Sequence, residues 1–397
     1  MDGVLWRVDV AVALLSAETL QTNEFILSSV SLFATISIIQ GSRLMLARII
    51  RRIADPPKCL ELDCIDDNLE QPFYLRRPSG APMSELSIPY VIQQKGYGRG
   101  LLSLASAVVC HVHVARRYGL IPYVDFSRHY TEYNDAAPGH AQERSHLNTW
   151  ELFFQPVSAL TSAVVEASPF HCESSLGFPA GYPRKMLISQ VQSLRDIAED
   201  ILRPVAEIEN DVNGMISQLS AEGPVLAVHF RGQEQKTMPY HPLSPTSSQI
   251  FTAIDRALDG HGFNRIFLAT EDLDYVETLS ARYGSRLTTM AHFRTRSPVN
   301  AYRINPRPRH RYLLGREILT DMFILSRCQG LVSSTSNVTE IARAVNNGRY
   351  CLDLVIDNGL NVHQPMLAKY VWSLKQMLPA AFGGFSNSAI TPYPPIR

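Results

Sequence analysis

The stretch Leu226–Lys236, LAVHFRGQEQK, closes an apolar run with a histidine and an arginine two positions apart, His229 and Arg231. A guanidinium at the carboxyl end of a strand is planar, always charged and able to donate two parallel hydrogen bonds, which suits a pyrophosphate. Gly232 follows, removing a side chain where a ligand or another backbone approaches. Polar triplets close two later apolar runs: Thr270-Glu271-Asp272 after RIFLA and Thr335-Ser336-Asn337 after GLVSS. Three strand ends would then discharge cations, hydroxyls and carboxylates into one crevice, which is where open α/β sheets bind nucleotides.

A second anion site is expected at Gly96, Gly98 and Gly100, in the turn GYGRG ahead of a long apolar-periodic stretch. Free amides and the positive end of a helix dipole hold phosphate well, and a tight turn with close helix packing is the competing explanation. The final glycine of the dinucleotide fingerprint is missing, so a nicotinamide cofactor is not read here. Ser333 to Asn337 are five small polar residues in a row. One of them caps the following helix, and the rest exceed what a cap requires. Asp272 also reads as a helix cap, while Asp321 lies on a helix. A carboxylate accepts two hydrogen bonds from the edge of a guanine base. The remaining histidines form no metal-ligand spacing with nearby acids, so no metal and no bound cofactor are expected.

These groups need a scaffold. A strand at 88–94, the glycine turn, a helix ending at Arg116-Arg117 before Gly119, and a strand at 121–126 form a βαβ unit. NTWELFF (148–154) reads as a helix start, 187–220 as one long helical region, and Pro224 as a boundary. Strands at 225–230, 265–270, 286–290, 330–334 and 350–356 then alternate with helices at 246–259, 273–283, 316–327 and 337–346. That order predicts an α/β fold with a parallel, doubly wound sheet. Residues 54–88 read as a linker and TPYPPIR as a tail.

Composition bounds the function. Lys and Arg total 37, as do Asp and Glu, so net charge favours no nucleic acid and any anion site is local. A chain of 397 residues, 45% apolar, holds two substantial domains plus an extension. Six cysteines without CxxC pairs point to a reducing, cytoplasmic setting, with Cys110 and Cys328 as buried thiols. No signal-peptide layout opens the sequence. Phe25–Ile39 is apolar for 15 residues, short of the roughly 18 to 20 that span a bilayer. With Arg43, Arg48, Arg51 and Arg52 downstream, it reads either as a helix packed on the protein or as a peripheral membrane contact.

HFRGQEQK resembles the first donor motif of the nodulation-type and core α1,6-fucosyltransferases, relatives of the protein O-fucosyltransferases. FLATED resembles their second motif, EILTDMFILSRCQGLVSSTSNVTEIARAVN their third, and GYGRG the glycine turn of their first domain; the likeness covers roughly residues 88–356. It implies a GT-B architecture of two Rossmann-like domains: an extension and linker (1–87), an acceptor-side domain (88–222), a GDP-sugar domain (223–375) and a tail (376–397). It also implies metal-independent transfer of fucose, or a related sugar, from GDP-fucose to a saccharide or glycoconjugate, with inversion. Arg231 would hold the β-phosphate, His229 and Asp321 the nucleoside, Asp272 would support it, and Thr335, Ser336 and Asn337 would lie at the phosphates, with Lys236 also on the donor side. Where relatives carry Thr-Asp this chain has Gln233-Glu234, with Gln235 as an extra residue before Lys236. Glu234 and His241 are therefore the expected general bases. A non-catalytic GDP-sugar or carbohydrate-binding protein, and a transferase of another nucleotide sugar, are the alternatives.

Overall fold

The computed structural model describes residues 73–76, 88–94, 99–128, 131–133, 148–168, 171–179, 182, 188–297 and 299–394. The apolar segment 25–39, Cys59, Cys64, Gly96 and Gly98 lie outside them.

Four short strands make the first sheet: β1 (Phe73–Arg76), β2 (Pro89–Ile92), β3 (Ile121–Val124) and β4 (His171–Ser174), in the order β1-β4-β2-β3. β2 runs parallel to β3 and β4, whereas β1 is antiparallel to β4. Helix α1 (Leu101–Arg117) crosses between β2 and β3, ended by Gly119 at φ +67°. The βαβ unit forms as its sequence predicts. Residues 54–88, expected as a linker, contain β1, because strand pairing to β4 gives its backbone groups partners.

After α2 (Ser162–Ala167) the region 187–220 divides into α3 (Gln192–Ile201) and α4 (Ala206–Ser220). One long helix was the expectation. Pro204 breaks it, forming a bridge with Phe154, while Val205 N donates to Phe153 O at 3.1 Å. NTWELFF gives only a 3₁₀ turn at Thr149–Leu152, since Phe153 and Phe154 turn away into the core.

The second sheet has β5 (Val225–His229), β6 (Arg265–Ala269), β7 (Leu287–Thr288), β8 (Gly330–Ser334), β9 (Leu352–Ile356) and β10 (Ile390–Pro392), ordered β10-β9-β8-β5-β6-β7. β5 to β9 are all parallel. Helices α5 (Gln233–Thr237), α6 (Ser247–His261), α7 (Leu273–Tyr283), α8 (His310–Arg327), α9 (Asn337–Asn346) and α10 (Pro365–Met377) accompany it. Along β5, Val225 and Ala227 join one core while Leu226 and Val228 join another, as period-2 alternation requires. The first core is continuous with that of the first sheet, running through Tyr90, Val108, Trp150 and Phe323.

The predicted tail is a correction. Ile390–Pro392 pairs antiparallel to β9, and Tyr393 N donates to Asp353 O at 2.9 Å. An otherwise open sheet edge is thereby covered, with Pro392 tolerated because the added strand is itself an edge.

Candidate functional site

The chain leaves β5 toward β6 on one side and returns through β8 on the other, so the topological switch point lies at the carboxyl ends of β5 and β8. His229 and Arg231 stand at the end of β5. His229 is buried, and its Nδ1 lies 2.9 Å from the Ala269 carbonyl, so that nitrogen carries the proton. Its Nε2 is an acceptor with no hydrogen-bond partner among the described residues. Burial holds the imidazole below the ordinary histidine range, against the pull of Glu271 and Asp321.

Arg231 is half-buried, its Nε 3.5 Å from Oε1 of Glu271. The same carboxylate oxygen accepts from Gly232 N at 3.1 Å. Gly232 is required by a close approach, and the approaching group is protein: a Cβ there would stand 2.2 Å from Cβ of Asp272. Asp272 caps α7 by accepting from Asp274 N at 2.9 Å. Its other oxygen, Oδ2, is buried without a hydrogen-bond partner, and burial raises the carboxyl above its usual range.

Lys236, on α5, folds inward. Its Nζ stands 3.9 Å from Oδ2 of Asp272, 4.6 Å from the ring centre of Trp372 and 5.2 Å from that of Tyr275. Burial pulls its pKa down. This lysine serves as a cation between two aromatic faces and a carboxylate, tying α5 to α10. Trp372 fixes the arrangement by donating Nε1 to Ser244 O at 2.7 Å.

At the end of β8, Ser336 caps α9, its Oγ accepting from Thr339 N at 3.2 Å. Helix geometry leaves the amides of Asn337 and Val338 without an intrahelical acceptor. Thr335 stands half-buried beside them. Ser334 Oγ is buried without a partner, while Ser333 Oγ accepts from Arg343, itself paired with Asp353 at 2.7 Å.

Asp321 faces the same region from α8, within the electrostatic reach of His229. It is occupied by a group that sequence reasoning missed: His292 Nδ1 lies 3.1 Å from Oδ1, off the line of a good hydrogen bond, making a charge contact. Burial pulls His292 down, but the Asp321 and Glu317 charges outweigh it and hold the imidazolium above the ordinary range.

Of the glycine turn only Gly100 is among the described residues. Leu101 N, the first amide of α1, donates to Tyr133 Oη at 2.6 Å, and that hydroxyl also bonds Tyr302. Gly100 is the helix N-cap, and the amide nearest to it is already satisfied by protein. Burial pushes the Tyr133 phenol up to about 12, with Arg231 among the charges opposing it. Tyr133 thus lies within the electrostatic reach of Arg231. His241 sits where loop 240–243 meets 359–361, its carbonyl accepting from Asn361 N at 2.8 Å. Glu234 lies on α5, two residues before Lys236; its side chain is outside the described atoms. No signal in the sequence marked Tyr133 or Trp372. Glu271 was visible as part of its triplet.

The fold is α/β, with a crevice at the topological switch point of its second sheet. No family model and no curated protein matches the chain. Solved structures do resemble it. NodZ alpha-1,6-fucosyltransferase soaked with GDP-fucose is 14% identical, with 69% of this chain and 98% of that one covered, at a TM-score of 0.47. The fucosyltransferase NodZ from Bradyrhizobium is 16% identical over 70% and 98%, at 0.45. POFUT1 in complex with GDP is 12% identical over 68% and 97%, at 0.38.

Proposed function

We propose that the chain is an inverting glycosyltransferase that moves fucose, or a related sugar, from GDP-fucose to a saccharide or glycoconjugate without a metal. The observation that carries this reading is the switch-point cluster: the Arg231 cation, the unpartnered His229 Nε2 and the first amides of α9. A GDP-sugar has a use for each. Its diphosphate takes the guanidinium and the α9 amides, whose dipole end favours an anion. His229 Nε2 accepts from a nucleoside N–H or O–H. Asp321 accepts from the guanine edge once His292 turns aside.

The reaction follows from charge. As the anomeric bond lengthens, negative charge grows on the β-phosphate, and a fixed guanidinium stabilises the departing GDP as a metal ion would. The acceptor hydroxyl attacks from the opposite face and loses its proton to a carboxylate or imidazole. Glu234, on the helix that follows Arg231 directly, is the assigned base, and His241 the second choice. Glu271 holds Arg231 until the diphosphate replaces it.

GDP release from GDP-fucose, followed with EDTA present for wild type and Arg231→Ala, tests the reading. Turnover or slow hydrolysis that survives chelation and disappears in the variant supports a metal-independent transferase. A wild type that binds GDP yet never releases it from the sugar supports a binding protein instead. No binding of GDP sinks both.

A further inference from the structure

Helix α10 is amphipathic, but its apolar arc faces water. Its inner side is narrow: Ala368 is buried, and Trp372 reaches Ser244 and Lys236. At 100° per residue, Met366, Leu367, Tyr370, Leu374 and Met377 fall within an arc of about 100° on the opposite side. They are 57% to 83% exposed, and Phe382, just past the helix, is 76% exposed. Scattered apolar residues on a surface need no explanation, but a continuous stripe of this size marks a contact site.

Charge selects the occupant. From Asn358 to Arg397 the sequence has no Asp or Glu, and α10 carries Lys369 and Lys375. Lys369 lies exposed at one margin of the stripe, on the side of Ser373 and Gln376. An apolar arc with a basic margin on a helix that carries no acid matches the boundary between anionic headgroups and acyl chains. Tyr370, with an apolar ring and a polar tip, suits that depth.

We propose that the α10 face docks this protein on the surface of a membrane containing anionic lipid. Met, Leu and Tyr enter the acyl boundary, and Lys369 meets the headgroups. Because the buried side of α10 packs on α5 through Trp372 and Lys236, docking turns α5, the helix that follows β5, toward the headgroups.

Flotation of the full chain with phosphatidylcholine vesicles, with and without phosphatidylserine, tests this. Wild type is expected to float with the anionic vesicles and weakly with the neutral ones. Leu374→Glu/Met377→Glu is expected to lose at least roughly tenfold in partition, with its thermal unfolding unchanged. Lys369→Glu, which keeps the stripe, should lose only the preference for anionic vesicles. Failure of wild type to float overturns the proposal. So does full flotation of the double variant, which would assign the contact to residues 25–39. A concentration-dependent dimer of wild type that the double variant abolishes, without flotation, would make the occupant a second copy of this chain.

Discussion

The N-termini of α1 and α9 differ in what satisfies them. At α1 the first amide, Leu101 N, is taken by the Tyr133 hydroxyl. At α9 the cap comes from Ser336, which reaches only the third amide of the helix and leaves those of Asn337 and Val338 to others. Both termini follow glycine-rich or hydroxyl-rich segments that look alike as anion sites. The position of the capping oxygen, rather than the helix dipole, decides which one remains open. Arg231 adds a cation beside the switch point that serves α9, and its field reaches Tyr133 as well.

The comparison can be broken most forcefully at the cation. Arg231→Ala is expected to reduce turnover of GDP-fucose by about 10²- to 10³-fold, measured as initial rates of GDP release. An unchanged rate would show that the α9 terminus handles the diphosphate alone. Tyr133→Phe comes next: it leaves a buried amide without its acceptor, and we expect a loss of about 1–3 kcal/mol in unfolding free energy, with GDP affinity retained. If affinity falls instead, the α1 terminus binds the donor after all. Ser336→Ala should cost about 1 kcal/mol of stability and also weaken GDP binding in titration calorimetry, since the frayed turn no longer holds its amides in place.

The smallest effect concerns pH. His292 has a folded pKa above its free value, so its charge contact with Asp321 stabilises the fold fully below the free-histidine range and is lost as pH rises through the raised value. His292→Gln should therefore lower the unfolding temperature at about pH 5.5 and match wild type at about pH 8.5. Equal destabilisation at both would mean that the ring acts by packing.

The second sheet was legible because parallel strands buried on both faces read as continuous apolar runs, as RIFLA and GLVSS do. The helix expected at 246–259 forms as α6, and its start is held by a capping box of Thr246 and Gln249 that the structure adds. His229, Arg231 and Ser336 were found from their position at strand ends. The start of α8 at His310 was hidden because its first turn is basic and polar, and the expectation began at 316. β4 and β10 escaped notice because each is a short strand set by its partner, not by its own periodicity. Tyr133 and Trp372 act through contacts distant in sequence, with Leu101 and Lys236, and nothing in the local pattern around either residue signals them.

Tyr393 has a consequence for how the molecule assembles. Its hydroxyl accepts from Ser189 at 2.8 Å across 204 positions while donating to Glu340 on α9 at 3.1 Å. Contacts of such separation carry a high loop-closure cost and form late. The helix that offers its amides to the crevice therefore receives its last support only after β10 has zipped onto β9. Until that step the sheet is assembled but the crevice is unfinished, so ligand-binding competence should lag behind secondary structure during refolding.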